Sequence, residues 1–132
     1  MRIGELARRT RIPTKTIRYY EGIGLLPDPP RTSSGYRDYE PTAERRLSFI
    51  RAAQSVGLSL GEIREILAFR DRGERPCEHV RSLIEQQAAD LSARIAALEV
   101  MRRDLRRMAR KARSGARSAT EPAGYCHIIE SA

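Results

Sequence analysis

From Cys77 to Ala112 the sequence contains neither glycine nor proline, and Val80, Ile84, Gln87, Leu91, Arg94, Leu98, Met101, Leu105, Met108 and Ala112 recur at alternating steps of four and three. That is a heptad seam on one uninterrupted helix, with polar residues at Gln87 and Arg94. At 1.5 Å per residue such a helix extends about 54 Å, more than a small globule can cover along one face. A partner helix, most simply from a second copy, must bury the seam, so a homodimer is expected. Composition agrees: only 40% of the 132 residues are hydrophobic and 5% aromatic, a thin filling for a lone globule of this length.

Ahead of the seam the chain reads as short helices. Ile3, Leu6 and Ala7 share one helical face, Ile12-Pro13 interrupts it, and Thr14 to Glu21 resumes a second helix after a tight turn. Gly22, Gly24, Pro27, Pro29, Pro30 and Ser33-Ser34-Gly35 oppose a helix, whereas Tyr36, Arg37 and Tyr39 suit a short strand, so a two-stranded hairpin, or wing, is expected. Pro41 suits a first helical position, and Leu47, Phe49, Ile50, Ala53 and Val56 supply a buried stripe that ends at Gly57. Ser59-x-x-Glu62 forms a capping box for the next helix, carried by Ile63, Ile66 and Leu67 to about Arg70. The expected organisation is mainly α: a helical unit with a wing over 1–70, a polar linker over 71–76, the long helix over 77–112 and a tail over 113–132, a loop pinned by the apolar end Tyr125-Cys126-His127-Ile128-Ile129.

Charge narrows the partners. The net +8 is spread unevenly: residues 1–51 carry +5, residues 52–101 carry −2 and residues 102–132 carry +5. The middle is therefore not a polyanion-binding surface, and the basic run from Arg102 to Arg113 reads first as the solvated face of the coil and only second as a further polyanion contact. No run is long and apolar enough to cross a bilayer, and Arg2, Glu5 and Arg8 follow Met1 where a signal core would be apolar. A cytoplasmic protein without membrane partners is expected. Two cysteines, Cys77 and Cys126, read as thiols rather than as a disulfide scaffold.

The first two helices make a helix-turn-helix whose second helix presents Thr14, Lys15 and Arg18 outward while Ile17 packs inward. Such side chains near a helix start reach phosphates and base edges in a major groove. Arg31, Tyr36, Arg37 and Tyr39 add cationic and hydroxyl donors on the adjacent wing.

Ile3-Gly4-Glu5-Leu6-Ala7, Thr16-Ile17-Arg18-Tyr19-Tyr20-Glu21, Gly24-Leu25-Leu26, Arg31, Gly35-Tyr36-Arg37-x-Tyr39 and Gly57-Leu58-Ser59-Leu60-x-Glu62-Ile63 together resemble the MerR family of bacterial transcription regulators. The resemblance implies a winged helix-turn-helix at each end of a dimer joined by an antiparallel coiled coil. It also implies that effector binding bends and untwists a promoter with an over-long spacer, so that RNA polymerase can start. Carried over by motif, Arg18 and Tyr19 contact double-stranded DNA from the recognition helix, and Arg31, Tyr36, Arg37 and Tyr39 clamp phosphates from the wing.

About twenty residues follow the long helix, which suits an ion better than a large organic effector, and one cysteine there cannot hold an iron–sulfur cluster. Cys77 opens the long helix, where unpaired N–H groups and the helix dipole suit an anionic sulfur. A cysteine at this point resembles the family's sensors of divalent ions, and Tyr125-Cys126-x-Ile128-Ile129-Glu130 resembles the end of their metal loop, its isoleucines packing it down. An antiparallel pair brings Cys77 of one chain toward Cys126 of the other. The expected cofactor is a divalent metal, zinc foremost, with cadmium, lead or mercury as alternatives. These sensors have another cysteine early in the loop, and Ser114 to Gly124 contains none. His127, His79 or Glu121 is then needed to complete the usual four ligands of zinc.

Two rivals remain open at this point. The same two thiols form a disulfide in an oxidation-responsive regulator, and a metal-buffering coiled-coil protein would make the basic head incidental. An enzyme is not expected, because no nucleophile, carboxylate pair or glycine-rich phosphate loop stands in a suitable context.

Overall fold

The computed structural model describes residues 1–114 and 124–131, so the expectation for Glu121 lies outside the described residues. Six helices are described: α1 (Ile3–Thr10), α2 (Thr14–Gly22), α3 (Pro41–Ser55), α4 (Leu60–Asp71), α5 (Cys77–Arg113) and α6 (His127–Glu130). The chain divides into two compact units, Met1–Gln87 and Ala88–Ala132, and α5 belongs to both.

In the first unit, Leu6 of α1, Ile17 of α2, Leu47 and Ile50 of α3 and Ile63 of α4 are fully buried, and Leu25, Leu26 and Tyr39 join them from the intervening segment. These are the apolar positions of each helical period, so patterning alone assembles the cluster. Pro41 opens α3 at its first turn. The capping box of α4 forms in both directions: the Glu62 N–H donates to Ser59 Oγ at 3.1 Å, and the Ser59 N–H donates to Glu62 Oε1 at 2.9 Å.

A buried arginine ties these helices together. Arg46 of α3 donates through Nε to the Leu25 carbonyl at 2.8 Å and through its two terminal nitrogens to the Asp71 carboxylate at 2.8 and 3.1 Å. The guanidinium is thus satisfied on both edges, which makes its burial tolerable. Its hydrogen bonds hold the Asp71 carboxyl below the usual carboxylate range.

Three expectations are corrected. The wing is narrower than a two-stranded hairpin: among the described residues the only pairing is one antiparallel bridge, Arg31 with Arg37. Pro27, Pro29 and Pro30 have no N–H to extend a ladder, and the tight Thr32–Gly35 turn closes it at once, with the Gly35 N–H donating to the Thr32 carbonyl at 2.9 Å. Second, two seam positions belong to the head. Val80 packs on the core cluster, and the Gln87 amide donates to the Gly57 carbonyl at 2.7 Å. Gly57 stands at φ +89, and a Cβ there would meet Gln87 Nε2 at 2.5 Å, so glycine serves both the turn and this approach. Third, the tail's apolar end is only partly packed. Ile128 is half-buried, while Ile129 is 69% exposed.

Farther along α5, Ile84, Leu91, Leu98, Met101 and Leu105 remain exposed as a continuous seam, with Ile95 broadening it beside Arg94. No described helix is long and apolar enough to cross a membrane.

Candidate functional site

The helix-turn-helix is built by α1 and α2, with Leu6 and Ile17 pressed inward and Ile12 filling the turn. This leaves Lys15 and Arg18 exposed on α2, with Thr14 half-buried at its start and Tyr19 56% exposed. Beside Arg18 opens a groove of about 650 Å³, lined by the start of α1, by Arg18, and by Arg31, Gly35, Tyr36 and Arg37 of the wing. Five arginines edge it, Arg2, Arg8, Arg18, Arg31 and Arg37, against one carboxylate, Glu5. Glu5 is in turn drawn to Arg9, 3.4 Å away. A concave, arginine-rimmed surface alongside an exposed helix N-terminus is a fitting seat for a phosphate backbone.

Local contacts set the arginines. Arg31 Nη1 donates to the Gly35 carbonyl at 2.9 Å, closing the wing tip. The Arg2 guanidinium lies over the Tyr36 ring, 4.1 Å from its centroid, so the half-exposed tyrosine is held flat beneath a cation. Arg37 Nε is 3.2 Å from Glu21 Oε2, which fixes the base of the wing on α2.

Tyr39 is placed differently from the other wing residues. It is 2% exposed, and its hydroxyl donates to Glu21. Burial first, then this hydrogen bond, pushes the phenol well above its ordinary pKa and keeps it protonated. In this arrangement Tyr39 positions Glu21, and through it Arg37. Arg2 and Arg8 were not singled out in the sequence. The available signal was period: Arg8 stands one turn beyond Gly4, on the face that turns toward Arg18.

The sulfur and imidazole groups divide between the two units: Cys77 and His79 belong to the first, Cys126 and His127 to the second. Both thiols are free, Cys77 exposed as the first residue of α5 and Cys126 half-buried immediately before α6. His79 stacks on Phe69 with ring centroids 5.1 Å apart, and its Nε2 is 3.2 Å from Glu65 Oε2 of α4. Two residues apart on one helix, Cys77 and His79 of the same chain face different ways. His127, the first residue of α6, is half-buried and lines a small cavity together with Met108 and Lys111. Among the described residues no three His, Cys, Asp or Glu side chains gather into a metal-binding group. Two thiols suit soft and borderline cations, but the described residues of one chain do not gather a complete coordination shell.

The fold and the arginine groove define a helix-turn-helix DNA-binding protein. Residues 1–69 match the family model described as the MerR HTH family regulatory protein, and residues 44–108 match that described as MerR, DNA binding. The chain is 37% identical over 130 residues to the HTH-type transcriptional regulator ZntR of Escherichia coli, covering 98% of this chain and 89% of that protein. A transcription regulator of Ralstonia metallidurans, solved in complex with lead(II), superposes with a TM-score of 0.77 at 34% identity, covering 99% of this chain and 98% of that one. A dual-function regulator of Bacillus megaterium, solved with a mercury(II) ion, superposes with a TM-score of 0.67 at 30% identity over 99% and 98% of the two chains. The chain belongs to the MerR family: it is a DNA-binding transcription regulator and not an enzyme.

Proposed function

We propose that this chain is a heavy-metal-dependent activator that grips promoter DNA as a homodimer, answers to a divalent ion, zinc foremost, and works with RNA polymerase in the cytoplasm. The observation that carries the DNA part is the groove rimmed by Arg2, Arg8, Arg18, Arg31 and Arg37 beside α2. Lys15, Arg18 and Tyr19 read the major groove, with Thr14 at its edge, while Arg31, Tyr36 and Arg37 hold phosphates. Tyr39 keeps the wing in place. The exposed seam of α5 supports dimerisation, because five large apolar side chains in a row on one face require a cover.

Metal dependence is supported by the relatives. A heavy metal-dependent transcription regulator of Rhizobium meliloti is 39% identical over 128 residues, and the two superposed structures named above hold lead(II) and mercury(II). Cys77 of one protomer and Cys126 of its partner would hold the ion, with His127 in reach of the same chain segment as Cys126, and with His79 or Glu121 as the further candidates. A bound ion would supply a fixed link between the two chains. The lone late cysteine leaves this donor set with fewer thiolates than the four ligands zinc usually takes, so cadmium, lead and mercury stay as alternatives.

The test is a promoter transcription assay with reduced dimer titrated by several ions, together with elemental analysis. Cys77→Ser and Cys126→Ser should each abolish the ion response while leaving duplex binding intact, and Arg18→Ala should abolish sequence-specific protection. Normal ion responses in both serine variants would overturn the thiol site. Activation that survives a chelator, with Cys77 crosslinked to Cys126, would favour thiol oxidation as the trigger.

A further inference from the structure

Arg11 has φ 57 and ψ 32, and it is the only non-glycine residue with positive φ among those described. It ends α1 where a glycine would sit without strain, yet a long cationic side chain occupies the position. Strain retained at one residue points to a task for its side chain. The Arg11 guanidinium is exposed and makes no hydrogen bond or ion pair among the described residues. It borders a second groove, of about 310 Å³, between the end of α1 and the outer face of α3.

That groove is chemically one-sided. Arg51 enters it from α3, its Nη1 donating to the Thr10 carbonyl at 3.1 Å, which orients the fork and leaves its other N–H groups uncommitted among the described residues. Arg9 also borders it but is neutralised by Glu5 at 3.4 Å and Glu44 at 3.1 Å. No carboxylate lines the groove. Arg11 lies two residues before Pro13, the cap of α2, and so stands where the chain enters the recognition helix. The wing groove meets the same helix farther along, at Arg18.

We propose that Arg11 and Arg51 form a second phosphate clamp that holds the DNA backbone at the entry end of α2, complementing the wing groove. The proposal rests on the DNA-binding reading above and extends it to a face that none of the motif residues occupies. A duplex seated on α2 presents phosphates on both sides of the groove it fills, and a single clamp at the wing would leave the helix free to pivot. Phosphate contacts of this kind fix register and carry no base preference.

The test measures binding of the full-length chain to a duplex it selects from a random pool, and to a scrambled duplex of equal length, across a salt series. Arg11→Gly should weaken both duplexes by the same factor, roughly three- to tenfold, and flatten the slope of log affinity against log salt by about 0.9 for each phosphate lost. Because glycine relieves the left-handed strain, the same variant should melt at a higher temperature than the parent. Arg51→Gln should reproduce the uniform loss and the flatter slope without the gain in melting temperature. A more stable Arg11→Gly protein with unchanged affinity and salt slope would overturn the clamp. So would lost transcription with unchanged DNA binding, which would assign the groove to an acidic protein surface instead. These results are separable from failure of the DNA reading itself, in which the parent binds no duplex and Arg18→Ala changes nothing.

Discussion

Leu98 is the cleanest probe of what covers α5. It is 56% exposed in the single chain, lies at a heptad position in the second unit, and faces no other described element. Completely burying a leucine side chain contributes about 1.5–3 kcal/mol, so covering the exposed half and then truncating it to alanine forfeits about 0.8–1.5 kcal/mol per protomer. A symmetric dimer loses the residue twice, which gives about 1.6–3 kcal/mol, a roughly 15- to 140-fold weaker association at 1.4 kcal/mol per decade. Sedimentation equilibrium of Leu98→Ala over a wide concentration range measures that constant directly. Alanine has the higher helix propensity, so the helix itself should be undamaged and the far-ultraviolet circular dichroism of the associated protein unchanged. Val100, 47% exposed but off the heptad, is the internal control, and Val100→Ala should leave association within about threefold of the parent. Equal effects at both positions, or none at Leu98, would refute burial of the seam by a second copy.

Tyr39→Phe should cost about 1–2 kcal/mol in chemical denaturation, because the nearly buried Glu21 carboxylate loses a donor and keeps only Arg37. Its DNA-binding salt slope should match the parent; a flatter slope would return Tyr39 to the phosphate contacts. Asp71 has a folded-state pKa below its unfolded value, so its contribution is complete above the ordinary carboxylate range and disappears as pH falls through the lower folded value. Asp71→Asn should therefore destabilise the protein by about 1 kcal/mol at neutral pH and by progressively less toward acid, in urea titrations at several pH values. A constant difference down the acid limb would show that the Arg46 pair is not its source.

Periodicity made the helices legible, because the buried side chains are the ones that repeat. Leu6, Ile17, Leu47, Ile50 and Ile63 all emerge at zero exposure from the stripes that the sequence displays. The capping box was equally readable, since Ser59 and Glu62 satisfy each other within one turn and need no distant partner. What escaped was the set of contacts made across long sequence separations. Arg46 reads as one more surface arginine in Arg45-Arg46, and only the arrival of the Leu25 carbonyl and Asp71 makes its burial tolerable. Gln87 reads as a polar member of the seam, yet the turn at Gly57 offers it a carbonyl at 2.7 Å within its own chain.

The candidate site divides along the same line. In Gly35-Tyr36-Arg37-x-Tyr39 the two tyrosines are chemically identical, and sequence treats both as phosphate donors. Residues 36 and 39 flank the Arg31–Arg37 bridge and end on different sides of the segment, Tyr36 exposed and Tyr39 buried. Tyr36 accordingly meets Arg2 at the surface, while Tyr39 enters the core and spends its hydroxyl on Glu21. The missing information was which face the core would take. That choice was made by Glu21 on α2 and by the apolar cluster that Tyr39 joins. A donor list built from residue type alone therefore overcounts wherever a wing strand is anchored as well as exposed. The arginines are less ambiguous: their charge must leave the core or be paired within it, and Arg2, Arg8, Arg18 and Arg31 reach one groove because the only buried carboxylate nearby, that of Glu21, is already shared by Tyr39 and Arg37.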